Sequence, residues 1–151
     1  VSGGSWKMIA DSLTALTYTD KTAVTGTTYY YTVKAYRTVN GSRVWSSYVK
    51  AGISGKAIPA TPSVSLSSTS TGKVKVFWNK ISGASGYAVY RKNLTTGKWE
   101  RIKNITSAST LSYTASGTSG KNVYYTVRAY RTVNGTNVYS KYKTNVYIKV
   151  K

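Results

Sequence analysis

The amino-acid sequence predicts an all-β fold in which one structural unit is used twice. Residues 30–41 read YYTVKAYRTVNG and residues 124–135 read YYTVRAYRTVNG, so eleven of twelve positions are identical and only Lys34 differs, becoming Arg128. The copies are 94 residues apart, about the length of one all-β domain. Alternating Tyr, Thr and Val are typical of a pleated strand, and Asn-Gly favours a type I′ hairpin turn. The repeated element is therefore predicted to be a strand, a tight turn and a returning strand.

The composition favours a thin β-sandwich with a strongly positive surface. Fifteen Tyr and four Trp stand against a single Phe, and aromatic side chains with a polar tip suit a core that lies close to the surface. Twenty-two Lys and Arg face three acidic residues, giving a net charge of +19. Most of this charge, +14, falls in residues 58–151. Such a surface attracts nucleic acids, teichoic-acid-type wall polymers, anionic glycans or anionic lipid headgroups. Alternatively, the lysines only keep the protein soluble and block pairing at strand edges.

The residue inventory argues against catalysis and against metal or cofactor binding. The chain has no Cys and no His, so disulfides and thiolate metal sites are excluded. The only acids, Asp11, Asp20 and Glu100, fall on different predicted strands, which leaves almost no candidates for general acid–base chemistry or metal ligation. No apolar run of about 18 residues predicts a membrane span, and VSGGSWKMIA lacks the apolar segment of a signal peptide. We expect a protein that is not an enzyme and has no catalytic residues, metal or cofactor.

The second copy contains seven predicted strands. They cover residues 63–68, 73–79, 87–92, 99–105, 110–114, 123–133 and a last strand from about residue 136 onward. In the second of these, Val74, Val76 and Trp78 alternate with outward-facing residues, as expected for a half-buried strand. Seven short strands with turns at roughly 8–12-residue spacing predict an immunoglobulin-like sandwich.

Four segments of this copy follow a characteristic order. They are the alternating valines that end in Trp78, the run SGASGYAVYRK, the strand at Trp99 and the pattern G-x-x-V-x-Y-x-V-x-A. This order resembles the fibronectin type III family, especially the tandem repeats in surface and secreted proteins of gut-dwelling Gram-positive bacteria. The resemblance implies a non-catalytic, extracellular module. The family's integrin-binding Arg-Gly-Asp is absent, so that role is not carried over.

The resemblance also implies a corner tyrosine, which bonds to the backbone near the start of the long strand. The first copy keeps it as Tyr29 in GTTYYYTVKA, where Tyr31, Val33 and Ala35 are expected to point inward with it. The second copy places Val123 at this position. We therefore expect the tyrosine-to-backbone hydrogen bond in the first copy and its loss in the second.

The two copies differ in completeness. Trp6 matches Trp99, and Leu16-Thr17-Tyr18 matches Leu111-Ser112-Tyr113. Residues 1–57 therefore hold equivalents of only the last four strands (C′ to G), residues 58–62 form a Pro-containing linker, and residues 63–151 form a complete domain. The predicted fold is one complete fibronectin type III-like domain preceded by the C-terminal half of another. The missing strands belong either to a longer tandem protein or to another polypeptide that donates them.

The outer face of the long hairpin carries the candidate ligand site. A two-residue turn sets Tyr130 opposite Tyr139, Arg128 opposite Lys141 and, in the first copy, Tyr36 opposite Trp45. Opposed like charges destabilise a sheet unless a ligand balances them, whereas the aromatic pairs also have a purely structural explanation. Cations mixed with flat rings are typical of anionic-glycan or single-stranded nucleic-acid binding. The candidate anionic-ligand residues are Tyr90, Lys92, Arg101, Arg128, Tyr130, Tyr139 and Lys141.

Three functional hypotheses follow. The first is a non-catalytic extracellular module, a spacer, stalk or adhesion segment of a bacterial surface protein that grips anionic wall polymers or glycans. The second is a structural subunit of an extracellular filament, in which a neighbouring repeat or another copy of the chain completes residues 1–57. The third, non-specific nucleic-acid binding, depends on charge alone, because no nucleic-acid-binding motif is present.

Overall fold

The computed structural model describes residues 4–144 and 146–151. Within them every regular element is a strand. The chain divides into two compact units, unit 1 (Val1–Ala57) and unit 2 (Ile58–Lys151), so the predicted linker at residues 58–62 lies within unit 2. The strands are β1 (Thr28–Tyr31), β2 (Tyr36–Val39), β3 (Ser42–Trp45), β4 (Ile53–Lys56), β5 (Val64–Ser67), β6 (Lys73–Trp78), β7 (Gly86–Lys92), β8 (Trp99–Ile105), β9 (Ser112–Ser116), β10 (Asn122–Val133), β11 (Thr136–Tyr139) and β12 (Tyr147–Lys149).

Unit 2 is a sandwich of two antiparallel sheets. One sheet has the order β5-β6-β9, and the other has the order β11-β10-β7-β8 with β12 paired to the first part of β10. Buried residues of both sheets form one hydrophobic cluster, so the sheets face each other across a shared core. This is the immunoglobulin-like arrangement, and the predicted all-β sandwich is confirmed. The last predicted strand differs in one respect, because it is interrupted between β11 and β12.

The core of unit 2 follows the predicted alternation. In β6, Val74, Val76 and Trp78 are buried and the residues between them are exposed. The Trp78 ring packs against the fully buried Tyr87, with 5.3 Å between ring centroids. The Tyr87 hydroxyl accepts a hydrogen bond from the backbone N–H of Ile81 at 3.0 Å. Each large side chain buried in this way contributes about 1.5–3 kcal/mol, which fixes the two sheets against each other.

Unit 1 has only fragments of this arrangement. Its four strands form two separate two-stranded sheets, β1-β4 and β2-β3, and none of the described residues 4–57 is buried. The predicted strands at Trp6 and at Leu16–Tyr18 are not formed. Their counterparts in unit 2, β8 and β9, are held by pairing with β7 and β6. The described part of unit 1 contains no counterpart of β6 or β7, so these segments have no strand to pair with.

The repeated hairpin itself is therefore folded differently in the two units. In unit 2 the sequence forms one continuous strand, β10, whose central residues pair with β7. In unit 1 the same sequence breaks after Tyr31 and resumes at Tyr36. Val33 is 85% exposed, whereas its equivalent Val127 is completely buried. The expectation that Val33 and Ala35 point into a core is wrong, because no opposing sheet covers them in the described residues.

The corner-tyrosine expectation is confirmed in unit 1. The backbone N–H of Val24 donates a hydrogen bond to the Tyr29 hydroxyl at 3.0 Å. In unit 2 Val123 occupies this position and only packs against the core. The next inward residue, Tyr125, donates a long bond of 3.5 Å to the Ser116 carbonyl, and burial raises the pKa of its phenol. The start of β10 thus lacks the 3.0 Å bond that Tyr29 makes in unit 1 and has only the longer bond of Tyr125 beside the packing of Val123.

Candidate functional site

Both hairpin turns adopt the predicted geometry. Asn40 and Asn134 each have a φ of 48°, and the glycines that follow have φ values of 78° and 76°, as a type I′ turn requires. Tyr130 pairs with Tyr139, and Tyr36 pairs with Trp45, as predicted. Their ring centroids are 5.5 Å and 5.0 Å apart, respectively. The aromatic pairs therefore stabilise the hairpins.

The predicted register holds as far as Ser140, whose N–H donates to the Ala129 carbonyl at 2.8 Å, and fails beyond it. The buried hydroxyl of Ser140 accepts a bond from the Ala129 N–H at 3.1 Å, in the place of a backbone carbonyl. The Ser140 carbonyl instead accepts a bond from Arg128 Nε at 2.8 Å. Regular pairing resumes only where Tyr125 N–H bonds to the Val146 carbonyl. The β10–β11 ladder therefore does not include the predicted pairing of Arg128 with Lys141.

Arg128 is held between aromatic rings instead. Its guanidinium carbon lies 5.1 Å from the centroid of the Tyr139 ring and 5.6 Å from that of the Tyr142 ring. Tyr142 in turn makes an edge-to-face contact with Trp99, with 6.1 Å between centroids. Each such cation–ring contact contributes about 0.5–1 kcal/mol at an exposed site. Together with the bond to Ser140, these contacts fix the direction of the guanidinium.

Unit 1 repeats this cluster with a lysine. Lys34 Nζ lies 5.0 Å from the Tyr48 ring and 5.7 Å from the Trp45 ring. Trp6 makes the edge-to-face contact with Tyr48, at 6.4 Å. Lys34 and Arg128 are the one pair that differs in the twelve-residue repeat, and both place a cation near two aromatic rings.

A small cavity adjoins Arg128 on the outer face of the larger sheet. It has a volume of about 150 Å³ and is lined by Tyr90, Trp99, Thr126, Arg128 and Tyr142; we call it the Arg128 cavity. Thr126 is only 1% exposed, and its Oγ1 has no hydrogen-bond partner among the described residues. An unsatisfied buried hydroxyl costs about 1–3 kcal/mol. The cavity therefore combines flat rings, a cation and an unused polar group.

The predicted site residues separate into several groups. Tyr90 and Arg128 line the Arg128 cavity, and Arg101 reaches the Tyr139 hydroxyl through a long bond of 3.5 Å. Tyr130 is 3% exposed and donates its hydroxyl hydrogen to the Ile105 carbonyl. Both its ring and its hydroxyl are therefore used within the protein. Lys141 is exposed and lies outside the β10–β11 ladder.

Lys92 belongs to a different concavity. Its Nζ lies 5.9 Å from the Tyr124 ring, and with Arg91 and Leu94 it lines an open groove of about 470 Å³ that also includes Val123. The predicted set therefore does not form one site.

Sequence reasoning missed Trp99, Thr126 and Tyr142 as cavity residues. The internal repeat carried a signal for two of them, because Trp6 and Tyr48 hold the matching positions in unit 1. The signal was hidden because residues 141–144 lie outside the β10–β11 ladder, so Tyr142 could not be placed by strand register.

The positive charge of unit 2 is almost uncompensated. Its single acid, Glu100, accepts a hydrogen bond from Asn93 Nδ2 at 2.7 Å. Among the described residues the only ion pair is in unit 1, between Arg43 and Asp11 at 2.7 Å. The hydrogen bond from Arg43 holds the pKa of Asp11 below its usual range. The fifteen Lys and Arg of residues 58–151 therefore form no ion pair with an acidic side chain among the described residues.

Two further features bear on function. Within the described ranges, no group of three or more Asp or Glu side chains is placed to hold a metal ion. A helix long and apolar enough to span a membrane is likewise not found in that part of the chain.

Solved structures of fibronectin type III domains match the chain. A variant of the protein FN3tt aligns with a TM-score of 0.50 at 16% identity, covering 62% of this chain and 97% of the other. FN3tt itself gives 0.49 at 17% identity, covering 62% and 96%. A Fn3-like protein from Clostridium thermocellum gives 0.47 at 28% identity, covering 63% and 96%. No family model matches the chain, and no curated protein does. The chain therefore contains a fibronectin type III fold, and the predicted resemblance to fibronectin type III domains is confirmed.

Proposed function

We propose that the chain is a non-catalytic module of an extracellular bacterial surface protein. It acts as a spacer, stalk or adhesion segment, and its larger sheet grips anionic wall or glycan polymers. The observation that carries this proposal is the uncompensated charge of unit 2, with fifteen basic residues against Glu100 and no ion pair among its described residues. A rigid sandwich of this kind suits a spacer, because its ends are held at a fixed separation by one packed core.

The aromatic side chains add a second attraction beside the charge. Arg128, Tyr139 and Tyr142 form one connected cation–ring cluster on the larger sheet. Cations attract the acidic groups of a polymer, and flat rings pack against its repeating units. The charge contribution is screened over about 10 Å at 0.1 M salt, so the balance between the two attractions can be measured.

We expect the chain to bind purified poly(glycerol phosphate), a teichoic-acid-type polymer, and to lose affinity steeply as salt rises. The variant Arg128→Glu with Lys141→Glu should weaken binding by about tenfold, equivalent to about 1.4 kcal/mol. Titration at several salt concentrations measures both effects, with a neutral polysaccharide and a single-stranded oligonucleotide as comparison ligands.

The matched control reverses two charges on the other sheet, Lys73→Glu with Lys75→Glu in β6. An equal loss in both double variants would show attraction by total charge and contradict a specific face. Failure to bind the polymer even at low salt would remove polymer binding and leave the spacer role alone. Tighter binding of the oligonucleotide than of the polymer would favour nucleic acid instead.

A second candidate is a filament subunit in which strands from another polypeptide complete unit 1. The observation that favours it is the exposure of Val33, because its equivalent Val127 is covered by an opposing sheet in unit 2. A neighbouring repeat or another copy of the chain would supply equivalents of β6 and β7 to the open face.

Native mass by light scattering, compared with the denatured mass of the same sample, tests this second candidate. Strand donation between copies predicts a native mass at a multiple of the denatured mass, with assembly rising with concentration. A native mass equal to the denatured mass at every concentration would contradict donation between copies.

A further inference from the structure

Thr126, which lines the Arg128 cavity, differs in its hydrogen bonding from the equivalent residue of unit 1. Thr126 corresponds to Thr32 in the repeat. The Thr32 hydroxyl donates a hydrogen bond to the Val49 carbonyl at 3.2 Å, whereas Thr126 Oγ1 is buried and has no partner in the described part of the chain. Buried polar groups in folded proteins are nearly always bonded. An unused hydroxyl beneath a concave surface therefore points to a ligand atom that completes it.

The walls of the cavity supply flat apolar surface. Trp99 and Tyr142 meet edge to face at an interplanar angle of 71°, and Tyr90 pairs with Thr126 across the neighbouring strand. The volume of about 150 Å³ exceeds the space of a single water several times and is of the size that one sugar ring needs. The C–H faces of a sugar ring pack well against aromatic side chains.

The rim of the cavity supplies a directed positive charge. Arg128 uses Nε to bond the Ser140 carbonyl, while its two terminal nitrogens form no hydrogen bond to the described residues. Because the cation–ring contacts and the Ser140 bond hold the side chain, these nitrogens form a fixed fork. Such a fork binds a carboxylate or a phosphate through two parallel hydrogen bonds. No carboxylate of unit 2 competes for it, since Glu100 is bonded to Asn93.

We infer that the Arg128 cavity is a binding subsite for a single sugar residue that carries an anionic group. The C–H face of the sugar packs against the Trp99 and Tyr142 rings that line the cavity, a ligand hydroxyl satisfies Thr126 Oγ1, and the carboxylate or phosphate bonds the Arg128 fork. This inference rests on the proposed binding of anionic polymers and narrows it to one ligand class. Binding by overall charge needs none of these three contacts.

The four tryptophans provide a site-specific readout. In a ¹H–¹⁵N NMR titration of the full chain, glucuronic acid and glucose 6-phosphate should shift the indole N–H signal of Trp99 saturably at millimolar concentration. Trp6, Trp45 and Trp78 lie outside the cavity, so their signals should stay in place. Glucose should bind at least about tenfold more weakly, because it lacks the group that the guanidinium recognises. The stronger of the two acidic sugars identifies the anionic group as carboxylate or phosphate.

Variants separate the cavity from general charge. Arg128→Met should abolish the Trp99 shift, and Arg128→Lys should weaken it about threefold to tenfold because the bidentate fork is lost. Lys34→Met, which removes a cation from the equivalent ring cluster of unit 1, should leave the shift unchanged. Thr126→Val should weaken binding about fivefold but leave the melting temperature unchanged or higher, since it removes an unsatisfied hydroxyl. An unmoved Trp78 signal verifies that each variant is folded.

The inference and the proposed function can fail separately. If poly(glycerol phosphate) binds and neither acidic sugar shifts the Trp99 signal, the subsite is wrong and polymer binding stands. Equal losses for Lys34→Met and Arg128→Met would also overturn the subsite, because the sugars would then be responding to charge alone. If the sugars shift Trp99 as expected but the polymer does not bind, the subsite stands and the polymer was the wrong ligand.

Discussion

Replacing Gly86 with alanine is expected to destabilise unit 2 by about 3 kcal/mol or more. A Cβ at this position would overlap the Ile105 carbonyl oxygen and lie 2.6 Å from the Tyr130 hydroxyl. These two groups are hydrogen bonded to each other at 3.1 Å, directly over the glycine. A methyl group must therefore break that bond, worth about 1 kcal/mol, and also push β7 away from its neighbouring strands.

The matched control is Gly55→Ala in β4 of unit 1. Gly55 is also a strand glycine without a left-handed φ, but a Cβ there would meet nothing within 4 Å. We expect its substitution to change stability by less than about 0.5 kcal/mol. Urea unfolding followed through assigned amide signals of each unit measures both variants. A loss below about 1 kcal/mol for Gly86→Ala would mean that the sheet yields at this point more easily than its contacts indicate.

The parts of the fold that follow from local pattern were predictable. Alternating residues in β6 set which side chains are buried, and Asn-Gly set the turn type and the register next to it. Both depend on neighbours within a few residues, so the sequence carries the information directly. The pairing of Tyr130 with Tyr139 is of this kind, because it lies only four residues from the turn on each side.

The parts that depend on distant partners were not predictable. At Ser140 the side-chain hydroxyl, and not the backbone carbonyl, accepts the bond from the Ala129 N–H, and no periodic pattern marks that exchange. Tyr142, two residues further along, contacts Trp99, which is 43 residues away in sequence. Both of these residues line the Arg128 cavity. Strand register alone therefore identified Tyr90 and Arg128 as site residues but did not identify Tyr142.

The burial of Val127 depends on the opposing sheet of unit 2. Val127→Ala is expected to lower the stability of unit 2 by about 2 kcal/mol, from lost transfer free energy and the cavity left in the core. Val33→Ala in unit 1 should cost less than about 0.5 kcal/mol, because Val33 is 85% exposed. Hydrogen exchange of assigned amides in β10 and in β1 to β3 measures the two changes.

This pair compares the same substitution in nearly the same local sequence. Val33 and Val127 lie in segments that are identical at eleven of twelve positions, but Val127 lies within β10 and Val33 lies between β1 and β2. The difference between the two costs therefore measures the strand pairing and the covering sheet that only Val127 has. Equal costs would show that unit 1 is covered in solution. A cost for Val33→Ala that appears only as protein concentration rises would identify the cover as strands from another copy, since only an intermolecular contact depends on concentration.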